Sequence, residues 1–182
     1  MSTCIENKLT GQRIVFLMEG IGEEQLVMRM SYRGKGMAPP LHYHIAQEEK
    51  FSVISGELML YHQGKLDRIK AGHSFHIEPF QEHAMWNALD GCTELDWMVY
   101  PALNTAVFLR ESFAMANKQF ERGKKDLSLK HKIGLAYKYE QEIRLKSVPL
   151  FLVHFLHALL FPKKHFGKIS RRTDFAAERI MQ

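Results

Sequence analysis

The sequence predicts a mainly β protein, an antiparallel sandwich or barrel over residues 1–100, followed by an α-helical extension over residues 101–182. Three observations carry this reading. Up to Tyr100 the chain runs as short, strand-length segments punctuated by glycines; after Pro101 the glycines thin out and a helical period takes over. Charge reverses at the same place. Residues 1–100 carry nine Lys/Arg against thirteen Asp/Glu, and residues 101–182 carry sixteen against seven, so the net +5 belongs to the extension.

In order, the expected strands are Arg13–Met18, Gln25–Tyr32, Lys50–Ile54, Glu57–Tyr61, Leu66–Ile69, His73–Ile77 and Thr93–Tyr100. Between them Gly20, Gly22, Gly34, Gly36, Gly56, Gly64, Gly72 and the pair Asp90-Gly91 supply the chain reversals. Several short strands at close spacing, with no long helical pattern among them, are the signature of a sandwich or barrel. Phe51, Val53, Phe75, Ile77, Met85, Trp86 and Trp97 are its expected lining or outer packing.

In the extension, Asn104 or Thr105 caps a helix running to about Arg122, with Val107, Phe108, Met115 and Phe120 as its apolar stripe and Gly123 as its stop. Ser128 caps a second helix, along which Ile133, Ala136, Tyr137, Glu140 and Ile143 share one mixed face. A third segment, Val148–Phe161, is apolar apart from His154 and His157, and Thr173 or Asp174 caps a short terminal helix.

Composition narrows the class. Apolar residues make up 46% and charged residues 25%, the balance of an ordinary globular protein and not of a disordered one. The two cysteines, Cys4 and Cys92, have no paired spacing that suggests a disulfide framework or a thiolate zinc site, and a reducing cytoplasm fits this best. Met1 to Thr10 lacks the basic start and apolar core of a signal peptide. Val148–Phe161 falls short of the roughly twenty apolar residues of a membrane span. It is expected to pack on the barrel or a second subunit. The alternative is an interfacial helix making peripheral membrane contact, because Lys163, Lys164, Lys168, Arg171 and Arg172 follow it. Nucleic acid is disfavoured, since the basic residues are scattered and no recognition motif accompanies them.

The chemistry concentrates in Gly36–Gly56. On a strand, side chains two apart point the same way, so His42 and His44 project together into the barrel while Tyr43 faces out, and two imidazoles can share one ion. Glu49 follows a short reversal at the start of the next strand, close enough to add an oxygen; its neighbour Glu48 is the competitor for that role. A fourth donor must come from farther along, and His83 is the candidate. His73 and His76, three apart on a strand, face opposite ways and read as surface or satisfied histidines; Tyr61 and His62 adjoin a turn and face solvent at least in part. Met30, Met59, Met85 and Met98 can make an adaptable apolar pocket, a mild preference for a non-polar or aromatic small molecule, although methionine is more often simple core filler.

These residues resemble the cupin superfamily. The first cupin signature is matched in full: Gly36, five residues, His42-Tyr43-His44, four residues, Glu49, six residues, Gly56. The second is matched in part, by Gly72, His83 and Asn87; where cupins usually have proline and then glycine, this chain has Glu78 and Phe80, with Pro79 one place late. The resemblance covers roughly residues 35–90. It implies a cupin-type double-stranded β-helix (jelly-roll) barrel, a divalent transition metal held by His42, His44, Glu49 and His83, and a homodimer. Imidazole and carboxylate donors suit Fe, Mn, Ni, Cu and Zn. With such a site the resemblance implies a metal-dependent oxygenase or isomerase acting on a small-molecule ligand. The alternative is a non-catalytic binding or sensing module whose basic, apolar tail attaches it to a membrane or partner.

Overall fold

A computed structural model describes residues 3–162 apart from positions 23, 37 and 88. Within it, strand propensity and inward apolar alternation give ten strands before the extension: β1 Cys4–Asn7, β2 Gln12–Glu19, β3 Leu26–Arg33, β4 His42–Tyr43, β5 Glu48–Ser55, β6 Glu57–His62, β7 Lys65–Lys70, β8 Ser74–Ile77, β9 His83–Trp86 and β10 Cys92–Tyr100. The extension contributes α1 Thr105–Glu121, α2 Leu129–Lys138, β11 Arg144–Leu145 and α3 Leu150–Leu160.

The strands form two antiparallel sheets, ordered β1-β2-β3-β10-β5-β8 and β11-β4-β9-β6-β7. Their inner faces share one core: Leu26, Met28 and Met30 of β3, Phe51 and Val53 of β5, and Leu95 and Val99 of β10 meet Leu58 of β6. Burying a large apolar side chain such as Phe51, Leu58 or Leu95 contributes ~1.5–3 kcal/mol each. The jelly-roll layers are as expected, but the sheets are not closed into a barrel. The segment between β3 and β4 contains Pro39 and Pro40, which have no N–H to donate to a ladder.

Three short strands escape the sequence reading, β1, β9 and β11, while β4 is the strand on which His42 and His44 were expected. β1 is held from both sides, paired to β2 and pinned by α1, where Asn117 Nδ2 donates to the Glu6 carbonyl at 2.8 Å and Lys8 N donates to Asn117 Oδ1 at 2.8 Å. α1 starts where expected, but its buried face is Leu109, Phe113 and Ala116, while Val107 and Phe120 of the predicted stripe are exposed. Leu109 and Phe113 join the sheet core, and that contact decides the helix rotation.

The second helix begins at the predicted cap, with Ser128 Oγ accepting from His131 N. The pleat also divides the four methionines. Met30 and Met85 share register with core positions Leu95 and Leu60, whereas Met59 and Met98 stand opposite Trp86 and Lys50 on the outer faces. The four methionines therefore do not line one pocket, and Met30 and Met85 serve as core filler. α3 packs on α2 and buries Val153. The predicted terminal helix capped by Thr173 or Asp174 lies outside the described residues.

Candidate metal centre

The register of the second sheet brings the histidines together. β4 pairs with β9 so that His42 stands directly opposite His83, and His44 follows at the end of β4. The ring centroids lie 4.4 Å apart for His42–His83, 5.2 Å for His44–His83 and 5.4 Å for His42–His44. One ring nitrogen from each of the three falls within 4.8 Å of the others, so the triad is placed to hold one ion. Glu49 reaches the same point from the other sheet. Alternation along β5 turns Glu49, Phe51 and Val53 inward, and Glu49 Oε2 sits 3.0 Å from His83 Nε2 and 3.2 Å from His44 Nε2. Its other oxygen, Oε1, accepts from Trp97 Nε1 at 3.1 Å.

Backbone carbonyls fix which ring nitrogen faces the centre. A carbonyl only accepts, so each nearby Nδ1 carries the proton and donates: His42 to Pro40 O at 3.0 Å, His83 to Gln81 O at 3.1 Å, and His44 to Glu142 O at 2.5 Å. With Nδ1 so engaged, each ring in its neutral form presents an Nε2 lone pair. Two of those lone pairs point at a carboxylate oxygen. His44 Nε2 and Glu49 Oε2 are both buried without a partner of hydrogen-bonding geometry. Lone pairs converging in a buried space repel unless a proton or a metal cation lies among them, and three imidazoles with one carboxylate are a donor set that fits a divalent transition ion.

Without an ion, a proton on His44 answers the same demand. Burial, reinforced by His83 and His44, pushes His42 down to about 3, so it stays neutral. Burial also works against charge on His44, but the Glu49 carboxylate prevails and raises it. Glu49 is held well below the usual carboxylate range, because His44 and His83 outweigh its burial.

Around the centre, the pleat separates the competitor carboxylate. Glu48 points outward and pairs with Lys50 and with His76 Nε2 at 3.3 Å. His73 is exposed, its Nδ1 donating to Lys70 O at 3.3 Å. His62 stands opposite His83 in register and meets Gln81 Oε1 through Nε2 at 2.9 Å. The unusual turn before His83 is closed by Gln81, whose Oε1 also accepts from Glu78 N at 2.8 Å. Phe80, at the position where the resemblance expects glycine, takes the glycine-like φ of +66° and donates its N–H to His44 O at 2.7 Å. Gly56 has φ +74°, and a Cβ there would lie 2.5 Å from Thr93 Oγ1, which accounts for the glycine that closes the first signature.

Sequence reasoning missed the groups that orient the ligands. Pro40, Gln81 and Glu142 act through backbone carbonyls, which no side-chain motif announces. Glu142 belongs to the extension, and β11 beside it pairs with β4, Arg144 opposite Tyr43 and Leu145 opposite His42. On the outer face of β4, Tyr43 turns away from the centre into a cavity of about 380 Å³, shared with Phe80, Glu82, Lys146 and the start of α3.

Residues 28–99 match the family model described as Cupin domain. No curated protein matches the chain. Solved structures similar to it include KdgF from Halomonas sp. (14% identity, 53% of this chain and 84% of that one, TM-score 0.46). Another is an RmlC-like cupin from Shewanella frigidimarina (21% identity, 54% and 83%, TM-score 0.46). A third is a predicted oxalate decarboxylase from Thermotoga maritima (20% identity, 49% and 79%, TM-score 0.44).

Proposed function

We propose that this chain, whose residues 28–99 match the Cupin domain model, is a metal-dependent enzyme acting on a small organic molecule, with oxygenase or isomerase chemistry. The proposed ligands are His42, His44, His83 and Glu49, and the observation that supports them is the convergence of imidazole nitrogens on a buried carboxylate oxygen. When bound, an ion of the Fe, Mn, Ni, Cu or Zn class supplies Lewis-acid or oxygen-activating chemistry.

The chain's own residues do the positioning. The carbonyls of Pro40, Gln81 and Glu142 hold the rings in the lone-pair-inward tautomer, and Trp97 occupies Glu49 Oε1 so that Oε2 is left for the centre. Two positions on from Glu49, Phe51 is stacked between Phe75 at 4.8 Å and Trp97 at 5.7 Å, which anchors this strand in the core beside the centre. A homodimer belongs to the same proposal, and light scattering that gives the mass of a single chain contradicts it.

Cobalt(II) substitution tests the reading. A four-donor site with open positions gives the weak visible bands of five- or six-coordinate cobalt, and azide shifts them. Intense tetrahedral bands that azide leaves unmoved identify a closed structural site and overturn the enzymatic proposal.

A further inference from the structure

α3 turns apolar residues to solvent. Val153 faces α2 and is buried, while Phe151, Phe155 and Leu159 are 75%, 64% and 65% exposed. Four-residue spacing stacks these three into one ridge along the helix. From Ser147 to Pro162 the sequence has no Lys, Arg, Asp or Glu, and the polar group on this exposed side, His154, is engaged by Glu140 at 2.6 Å. Water thus meets a ridge of two aromatic rings and a leucine with no charged side chain of its own helix beside it.

The sequence that follows the ridge, outside the described residues, is basic. Lys163, Lys164, Lys168, Arg171 and Arg172 follow in sequence, and the first acidic residue after them is Asp174. Lys130 Nζ stands 4.8 Å over the ring of Phe161, at the end of the helix. A surface that is both apolar and negatively charged satisfies the ridge and its flank together.

We propose that α3 and the basic segment after it dock this protein on an anionic lipid surface. The ridge of Phe151, Phe155 and Leu159 enters the headgroup and acyl boundary, and the Lys/Arg cluster meets the phosphates. No helix of the described residues is long and apolar enough to cross a membrane, so the contact is parallel to the surface. The proposal is independent of the metal reading.

Flotation of the full chain with vesicles tests it, comparing phosphatidylcholine alone with phosphatidylcholine containing phosphatidylglycerol. The expected result is binding to the anionic vesicles at least about tenfold above the neutral ones, weakened in high salt. The Phe151→Ser/Phe155→Ser/Leu159→Ser variant is expected to lose that binding with its thermal midpoint retained. Lys163→Ala/Lys164→Ala/Lys168→Ala is expected to lose the anionic preference. Should the serine variant fail to fold, Phe155→Trp provides the readout, its emission shifting to the blue on anionic vesicles alone. No flotation, equal flotation on both lipids, or an unmoved Phe155→Trp spectrum overturns the proposal. So does a wild-type dimer that the serine variant converts to monomer without any vesicle binding, which assigns the ridge to a second copy.

Discussion

His44 Nδ1 donates to the carbonyl oxygen of Glu142 at 2.5 Å, across 98 positions of sequence. Glu142 is itself fixed, its Oε1 accepting from both the backbone N and the side-chain Nδ2 of Asn104 at 3.1 Å. A residue of the extension thereby sets the orientation of a histidine in the candidate metal centre.

Releasing that carbonyl should loosen the metal and spare the fold. Glu142→Ala is expected to weaken metal affinity about 10–100-fold, the usual effect of disturbing a partner behind a ligand, and Asn104→Ala is expected to act in the same direction. Competition against a chromogenic chelator measures it, with the thermal midpoint of the metal-free protein as control. Affinity within a factor of about two of wild type contradicts the linkage.

Phe80 holds a positive φ of +66° while 67% of it is exposed, so it carries backbone strain with little burial in return. Phe80→Gly should stabilise the protein by about 0.5–1 kcal/mol, strain relief being partly offset by the added freedom of the unfolded chain. Chemical denaturation checks this. A loss above about 1 kcal/mol shows instead that contact with the Tyr43 ring, 6.4 Å away between centroids, outweighs the strain.

Alkaline stability should depend on Tyr32. Burial pushes its phenol up to about 12, with Gln12 opposing. The folded state holds this proton more tightly than the unfolded chain, so the contribution is complete below about pH 10 and is lost as pH rises toward 12, by roughly 2–3 kcal/mol. The difference between wild type and Tyr32→Phe across that window isolates the effect. Parallel stability curves for the two proteins contradict it.

Legibility in the sequence followed the range of the interactions. The His42-Tyr43-His44 alternation and the inward turn of Glu49 were readable because a strand's period of two is local, and the structure brings both to one point together with His83. The Glu142 carbonyl was not readable, because a backbone oxygen has no residue signature and its partner is 98 positions away. The two-residue strand β11 is too short to show a period and exists through its pairing with β4. For α1, aromatic residues suggested a face through Val107 and Phe120, but packing of Leu109 and Phe113 on the sheets selected another.

The central claim, one transition ion held by His42, His44, Glu49 and His83, is tested most directly by elemental analysis of wild type and four single-alanine variants, purified without added metal. The expected result is about one transition ion per wild-type chain, with stoichiometry lost in His42→Ala, His44→Ala, Glu49→Ala and His83→Ala. A wild-type protein without stoichiometric metal, indistinguishable from His42→Ala, contradicts it.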